Sequence, residues 1–128
     1  MKKTPVAVIG FLRKDVLEAT LNNLAKADGV SERDIYVYLS APRNDADKPK
    51  TDAVKRFVEN YKQNVLKNIT IVLRDKNEGA GKNIRYAVTE TLEKTGKAII
   101  LEEDILVSKT FLKYMDSALD FYENDARI

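Results

Sequence analysis

One feature constrains this chain more than any other: an alternation repeated four times. Apolar runs rich in Val, Ile, Leu and Tyr lie at Val6 to Leu12, Ile35 to Leu39, Ile69 to Leu73 and Ala98 to Leu101, and each is followed by residues at helical spacing. The runs read as strands buried on both faces, as parallel strands are. After the first, Val16, Leu17, Leu21, Leu24 and Ala25 fall on one helix face. After the second come Val54, Phe57, Val58, Tyr61 and Val65; after the third, Ile84, Ala87, Val88 and Leu92; after the fourth, Phe111, Met115, Ala118 and Tyr122. Spacings of three and four are the signature of amphipathic helices. Gly29 and Gly96 stand where helix C-caps belong, and Thr51 and Ser108 where N-caps belong. The polar segment Ala41 to Lys50, with two prolines, reads as a loop. Four strand–helix units predict an α/β domain with a mainly parallel sheet of about four strands and helices on both faces.

Composition narrows the chemistry. The 128 residues match one domain. With no Cys and no His, disulfides, thiolate metal sites, cysteine nucleophiles and imidazole bases are all excluded, so acid–base or metal chemistry falls to carboxylates, Tyr or Lys. The net charge is +2, with 12 basic and 9 acidic groups in residues 1–64 and 10 and 11 in residues 65–128. No basic half exists, which argues against nucleic acid as a partner. The basic start at Lys2-Lys3 is followed only by the short apolar stretch Pro5 to Leu12, too short for a signal peptide or a membrane span. The expectation is a cytoplasmic chain, or the cytoplasmic part of a longer one, with Ile128 as the start of a further strand.

In open α/β sheets ligands bind beyond the carboxyl ends of the strands, where the strand order reverses. Three residue groups at those ends carry chemistry. The first is Glu102-Glu103-Asp104, directly after the fourth apolar run. Strand alternation points Glu102 and Asp104 one way and Glu103 the other. Adjacent carboxylates repel, and a hard divalent cation shared with substrate phosphates offsets that repulsion. The ordinary alternative is a solvated acidic turn favoured by the following helix dipole. The second group is Gly79-Ala80-Gly81 with Lys82, between a strand and a helix. A Walker loop would need Gly at 76 and Ser or Thr at 83, where Lys and Asn stand. A dinucleotide fingerprint would need a third Gly at 84, which is Ile, but the acid it needs about 20 residues on is present as Glu102, so that reading stays open as an alternative. Otherwise the stretch is either a tight loop allowing positive φ or a glycine backbone approaching a phosphate beside Lys82. The third group is Arg13, Arg43 and Arg74, at three strand ends; with Lys82 they suit phosphate oxygens, as the acids suit a metal.

The order of these features resembles the donor-binding half of GT-A-fold glycosyltransferases, and among them bacterial relatives of the N-acetylglucosaminyltransferase I family. The resemblance rests on Pro5 to Gly10 with Arg13 after it, Pro42-Arg43-Asn44, Arg74 to Gly79, and Ile100-Leu101-Glu102-Glu103-Asp104-Ile105 ahead of Phe111 to Met115. It covers nearly the whole chain, and the acidic motif, similar to that family's DXD, is its most specific part. It implies a Rossmann-like three-layer sandwich, with residues 1–128 as a nucleotide-sugar-binding domain and the acceptor half absent. It implies a nucleoside-diphosphate sugar donor, usually a UDP sugar, a sugar or glycan acceptor, and Mn²⁺ or Mg²⁺ bridging the diphosphate to the acids. Asp104 corresponds to the metal-ligating acid, with Glu102 beside it as a metal ligand. Glu102 and Glu103 also correspond to acids that contact ribose or metal-bound water. Arg13 falls near the nucleotide, and Asn77 and Gly79 line base and ribose. Ser40 stands where relatives carry an Asp that reads the uracil edge. The catalytic base, a carboxylate in inverting members, is expected beyond Ile128. Two further readings stand beside this one: a nucleotide- or dinucleotide-binding module of another class, and a GT-A-like domain that has lost donor binding, which the Ser40 replacement motivates. A receiver domain is disfavoured, because no acidic pair follows the first run.

Overall fold

A computed structural model describes residues 2–127, so the expectation for Ile128 lies outside the described residues. The apolar runs are strands β1 (Val6–Gly10), β2 (Ile35–Leu39), β3 (Ile69–Leu73) and β4 (Ile99–Glu102). Between and after them run helices α1 (Lys14–Ala25), α2 (Lys48–Asn64), α3 (Ala80–Thr95) and α4 (Phe111–Tyr122), with a short 3₁₀ turn at Val30–Glu32. The four strands form one wholly parallel sheet in the order β3-β2-β1-β4, with Val6 opposite both Ile35 and Ile99. The chain is thus an α/β sandwich of the Rossmann-like kind.

The order explains which helix lies where. The chain steps from β1 to β2 to β3 in one direction, then returns across the sheet to β4 on the other side of β1. Right-handed crossovers send α1 and α2 to one face and the return helix α3 to the opposite face. Helix α4 then folds back onto the α1/α2 face. There Leu17, Leu21, Leu24, Val54, Val58 and Leu112 pack on Val6, Val8, Ile35, Val37, Ile69, Ile99 and Leu101. On the other face Ala87 and Ile84 of α3 pack on Ala7, Ile9, Tyr36 and Tyr38.

Several element ends differ from the sequence reading. β1 stops at Gly10, two residues short of Leu12. A Cβ at Gly10 would sit 3.1 Å from Leu17 Cδ2 and 3.3 Å from Leu39 Cδ2, so a larger residue there would press both leucine side chains back by a few tenths of an ångström. Helix α2 begins at Lys48, capped by Asp47, and Thr51 lies inside it with its hydroxyl bonded to the Lys48 carbonyl. Pro49 caused that misreading: it fits the first turn of a helix, where no amide hydrogen is needed. Thr110 precedes α4, not Ser108, which instead bonds the Phe111 amide through its carbonyl. Gly96 ends α3 at φ +78°, as expected, but α1 ends at Lys26, and Gly29, at φ +84°, opens the 3₁₀ turn. Gly29 also gives its carbonyl to the buried Arg33, whose guanidinium is held by both oxygens of Asp116 at 2.8 and 2.9 Å. That pair ties α4 to the segment entering β2.

Candidate functional site

The strand order reverses between β1 and β4, and the carboxyl ends of both strands open into a cavity of about 390 Å³. Its lining joins residues from four elements far apart in sequence: Phe11 and Arg13 after β1, Ser40 and Arg43 after β2, Asn77, Gly79 and Asn83 at the start of α3, and Glu102 to Asp104 at the end of β4. This is the location that the topology of an open α/β sheet assigns to a ligand.

The acidic wall is built from β4 outward. Glu102 is the last strand residue, in register with Ile9, and it is exposed to the cavity. The strand ends there, so Glu103 and Asp104 leave the pleat in a turn closed by the Ile105 amide on the Glu102 carbonyl. Glu103 turns inward. Its carboxylate accepts the Phe11 amide at 3.1 Å and Arg13 Nε at 3.2 Å, and its carbonyl accepts the Thr20 hydroxyl. Asp104 stays half-exposed, with Arg13 reaching to 3.9 Å. Asn23 of α1 accepts the Val107 amide and fixes the same turn from below. The acids are therefore held by α1 and by the end of β1, and Glu103 orients Arg13 while Glu102 and Asp104 face the opening. Among the described residues no three carboxylates converge as a complete metal site. Glu102 and the loosely paired Asp104, two carboxylates beside an open cavity, have the hard oxygen donors that a Mg²⁺- or Mn²⁺-type ion would need.

The opposite wall carries hydrogen-bonding groups and one charge, Arg43, which is paired with Asp47. Asn77 staples the loop after β3: its amide nitrogen donates to the Ala41 carbonyl at 2.8 Å, and its oxygen accepts the Gly79 amide at 3.0 Å. Gly79 holds φ +93°, the left-handed backbone glycine adopts freely, and directs the chain into α3. Gly81 lies in the first turn of that helix with ordinary backbone angles, so only one of the two loop glycines serves the turn. Ser40 accepts Asn83 Nδ2 at 2.8 Å.

The cations expected to gather at this edge divide. Arg13 and Arg43 line the cavity. Arg43 is gripped by Asp47, with Nε 2.8 Å from Oδ2, and lies 5.3 Å over the Phe11 ring. The Arg43 guanidinium holds the Asp47 carboxyl below its ordinary value of 3.8. Arg74 leaves the group: it stacks 3.9 Å over Tyr86 and approaches Glu78 at 3.8 Å, and it does not line the cavity. Lys82 is exposed on the first turn of α3 and does not line the cavity. Phe11 and Asn83, which stand in the segments after the first and third apolar runs without an assigned role, do line it. Asn83 had a signal in the sequence, since it shares a face at a spacing of four with Ala87 and Thr91, the other buried residues of α3.

No protein-family model matches the sequence, and no curated protein matches it. Solved structures do match the fold. TarS of S. aureus, residues 1–349, superposes with a TM-score of 0.68 at 21% identity over 96% of this chain and 33% of that one. The same protein in complex with UDP-GlcNAc gives 0.68 at 22% identity, covering 96% and 32%. The mannosyltransferase PcManGT from Pyrobaculum calidifontis, in complex with GDP-Man and Mn²⁺, gives 0.62 at 18% identity, covering 96% and 33%. PcManGT is a mannosyltransferase, and the fold here is the GT-A-like α/β fold that these neighbours contain. The chain spans about a third of each of these three. No helix of the described residues is long and apolar enough to cross a membrane.

Proposed function

We propose that residues 1–128 form the nucleotide-sugar-binding domain of a metal-dependent glycosyltransferase, taking a nucleoside-diphosphate sugar, and specifically a UDP sugar, for transfer to a sugar or glycan acceptor. The observation that carries this reading is the composition of the switch-point cavity: two outward-facing acids beside an oriented arginine on one wall, and on the other the uncharged hydrogen-bonding groups of Ser40 and Asn83 with Arg43 offset by Asp47. A nucleoside diphosphate has the same polarity, with charge at one end and a neutral heterocycle at the other. Neighbours of the same fold that hold UDP-GlcNAc, or GDP-Man with Mn²⁺, support it.

In this reading Asp104 and Glu102 hold Mn²⁺ or Mg²⁺ together with phosphate oxygens. When bound, such an ion offsets the charge that develops on a leaving diphosphate. Arg13, aimed by Glu103, adds charge-assisted hydrogen bonds to phosphate. Glu103 thus acts through Arg13 and the Phe11 backbone, not as a direct ribose contact. Ser40, Asn77 and Gly79 line the nucleoside, Asn77 by shaping the loop. Lys82, beside the helix N-terminus, meets the part of the donor that projects from the cavity. The acceptor hydroxyl needs a general base, which we place outside these 128 residues. The neighbours' roughly threefold greater length supports that placement.

Calorimetry of the chain with UDP, GDP and CDP, with and without Mn²⁺, tests the reading. The expected result is nucleotide binding that Mn²⁺ strengthens, with UDP preferred. Absence of metal-enhanced binding for all three nucleotides overturns it. Sugar transfer to a defined acceptor by residues 1–128 alone would overturn the placement of the base, whereas slow donor hydrolysis would not, because water reaches an open site.

A further inference from the structure

Helix α1 carries two polar side chains toward the turn that bears the acids. Thr20 and Asn23 stand three residues apart, so they share one helix face. Thr20 is 1% exposed, within the buried stripe formed by Leu17, Leu21 and Leu24. An aliphatic side chain would suit that position, because a buried hydroxyl costs free energy unless it is bonded. The hydroxyl donates to the Glu103 carbonyl, and Asn23 Oδ1 accepts the Val107 amide. Just past the helix, the Asp28 amide donates to the Lys109 carbonyl at 2.8 Å.

The segment these bonds reach has no regular structure of its own to hold it. The pairing of β4 with β1 ends at Glu102, opposite Ile9, and α4 starts only at Phe111. Between the Thr20 and Asn23 anchors, Asp104, Ile105 and Leu106 are exposed. A peptide unit is planar, with the carbonyl of one residue and the Cα of the next in a single plane. The Thr20 bond to the Glu103 carbonyl therefore fixes the plane that contains the Asp104 Cα. The Glu103 carboxylate, bonded to the Phe11 amide and to Arg13, holds the residue before it. The Asp104 side chain has only its 3.9 Å contact with Arg13. Its place at the cavity is thus set through its backbone, from α1.

We propose that Thr20 and Asn23 are positioning residues for the metal-binding acids, holding the turn from Glu103 to Val107 so that the Asp104 carboxylate meets the same ion as Glu102. This rests on the nucleotide-sugar reading of the cavity and adds to it the residues that orient its metal ligands. The test is calorimetry of UDP binding with and without Mn²⁺ on the wild type, Thr20→Val and Thr20→Ser. Thr20→Val keeps the shape of the side chain and removes the donor. It should weaken the Mn²⁺ enhancement of UDP binding by about tenfold or more, the range for groups that orient metal ligands, while UDP binding without Mn²⁺ stays as it was. Thr20→Ser keeps the donor and should restore the enhancement. An unchanged enhancement in Thr20→Val overturns the proposal and leaves the donor site standing. Equal weakening with and without Mn²⁺, or a loss that Thr20→Ser does not repair, assigns Thr20 to packing and overturns it as well. No enhancement in the wild type overturns the metal reading and the proposal together. Should Thr20→Val fail to fold, Asn23→Leu serves in its place, keeping bulk and removing the acceptor for the Val107 amide: a weakened Mn²⁺ enhancement supports the proposal, and an unchanged one overturns it.

Discussion

The two faces of the sheet are built differently. On the α1/α2/α4 face, three helices bring aliphatic side chains onto Val6, Val8, Val37 and Leu101, and Leu17, Leu21 and Leu24 are fully buried there. On the α3 face one helix covers four strands and presents Asn83, Ala87 and Thr91 inward. Small and polar groups replace the leucines. Tyr38 crosses the layer to donate to Glu90 at 2.9 Å and to pair with Thr91 at 3.3 Å. The sparser face is also the one whose carboxyl end opens into the cavity. One face thus supplies most of the apolar burial, and the other keeps polar groups and space that a fully packed core would have eliminated. A ligand site needs such groups, and they are tolerated because the opposite face carries the stability.

That division can be broken experimentally, and the expected stability effects run from large to small. Leu21→Ala, at a fully buried position on the aliphatic face, should lower unfolding free energy by about 3 kcal/mol, the usual size for a truncated core leucine. Urea denaturation measures it, and a loss below ~1 kcal/mol would show that the three-helix face is not the stabilising one. Tyr38→Phe on the other face keeps the ring and removes the hydroxyl that bonds Glu90 and Thr91, so the loss should be only about 1 kcal/mol. Burial first, together with Glu90, pushes that hydroxyl up to about 12, so it stays protonated and the contribution is flat from pH 5 to 9.

Acid sharpens the contrast at the cavity rim. Asp47 has its carboxyl lowered in the folded state chiefly by its hydrogen bond with Arg43. A carboxyl whose folded value is depressed contributes stability above its unfolded value and loses it as pH falls toward the folded one. Stability should therefore fall below about pH 4, and Asp47→Asn should shrink that part of the pH dependence in paired melts. The smallest effect belongs to Asp104→Asn. Its carboxylate is half-exposed and makes only a 3.9 Å contact with Arg13, so stability should change by less than ~0.5 kcal/mol. The same substitution should abolish Mn²⁺-enhanced UDP binding, because an amide is a poor ligand for a hard cation. A clearly destabilised variant with an unchanged metal response would assign Asp104 to structure instead.

The sequence by itself determined the elements and their class. Alternating apolar runs and helical spacings leave few options but a parallel α/β sheet, and all four strands stand where the pattern puts them, within two residues at their ends. It also placed the acidic trio at a strand end, because it directly follows an apolar run, and Asn77-Glu78-Gly79 in the polar segment between the third run and the next helix. The tertiary structure decided the rest. Apolar spacing gives a helix its buried side but not its neighbours: of the face Ile84, Ala87, Val88 and Leu92, Ala87 is fully buried and Ile84 packs on the sheet, but the buried stripe is centred on Asn83, Ala87 and Thr91 and Leu92 is left 42% exposed. Side-chain reach and competition decided which charges share the cavity: Arg74 found Tyr86, Arg43 found Asp47, and Glu103 turned to the end of β1. Ser40 and Asn83 are 43 residues apart in sequence, and Arg13 and Glu103 are 90 apart. No local pattern encodes such pairs. They exist because β4 returned to the far side of β1 and set the ends of β1, β2 and β4 around one opening.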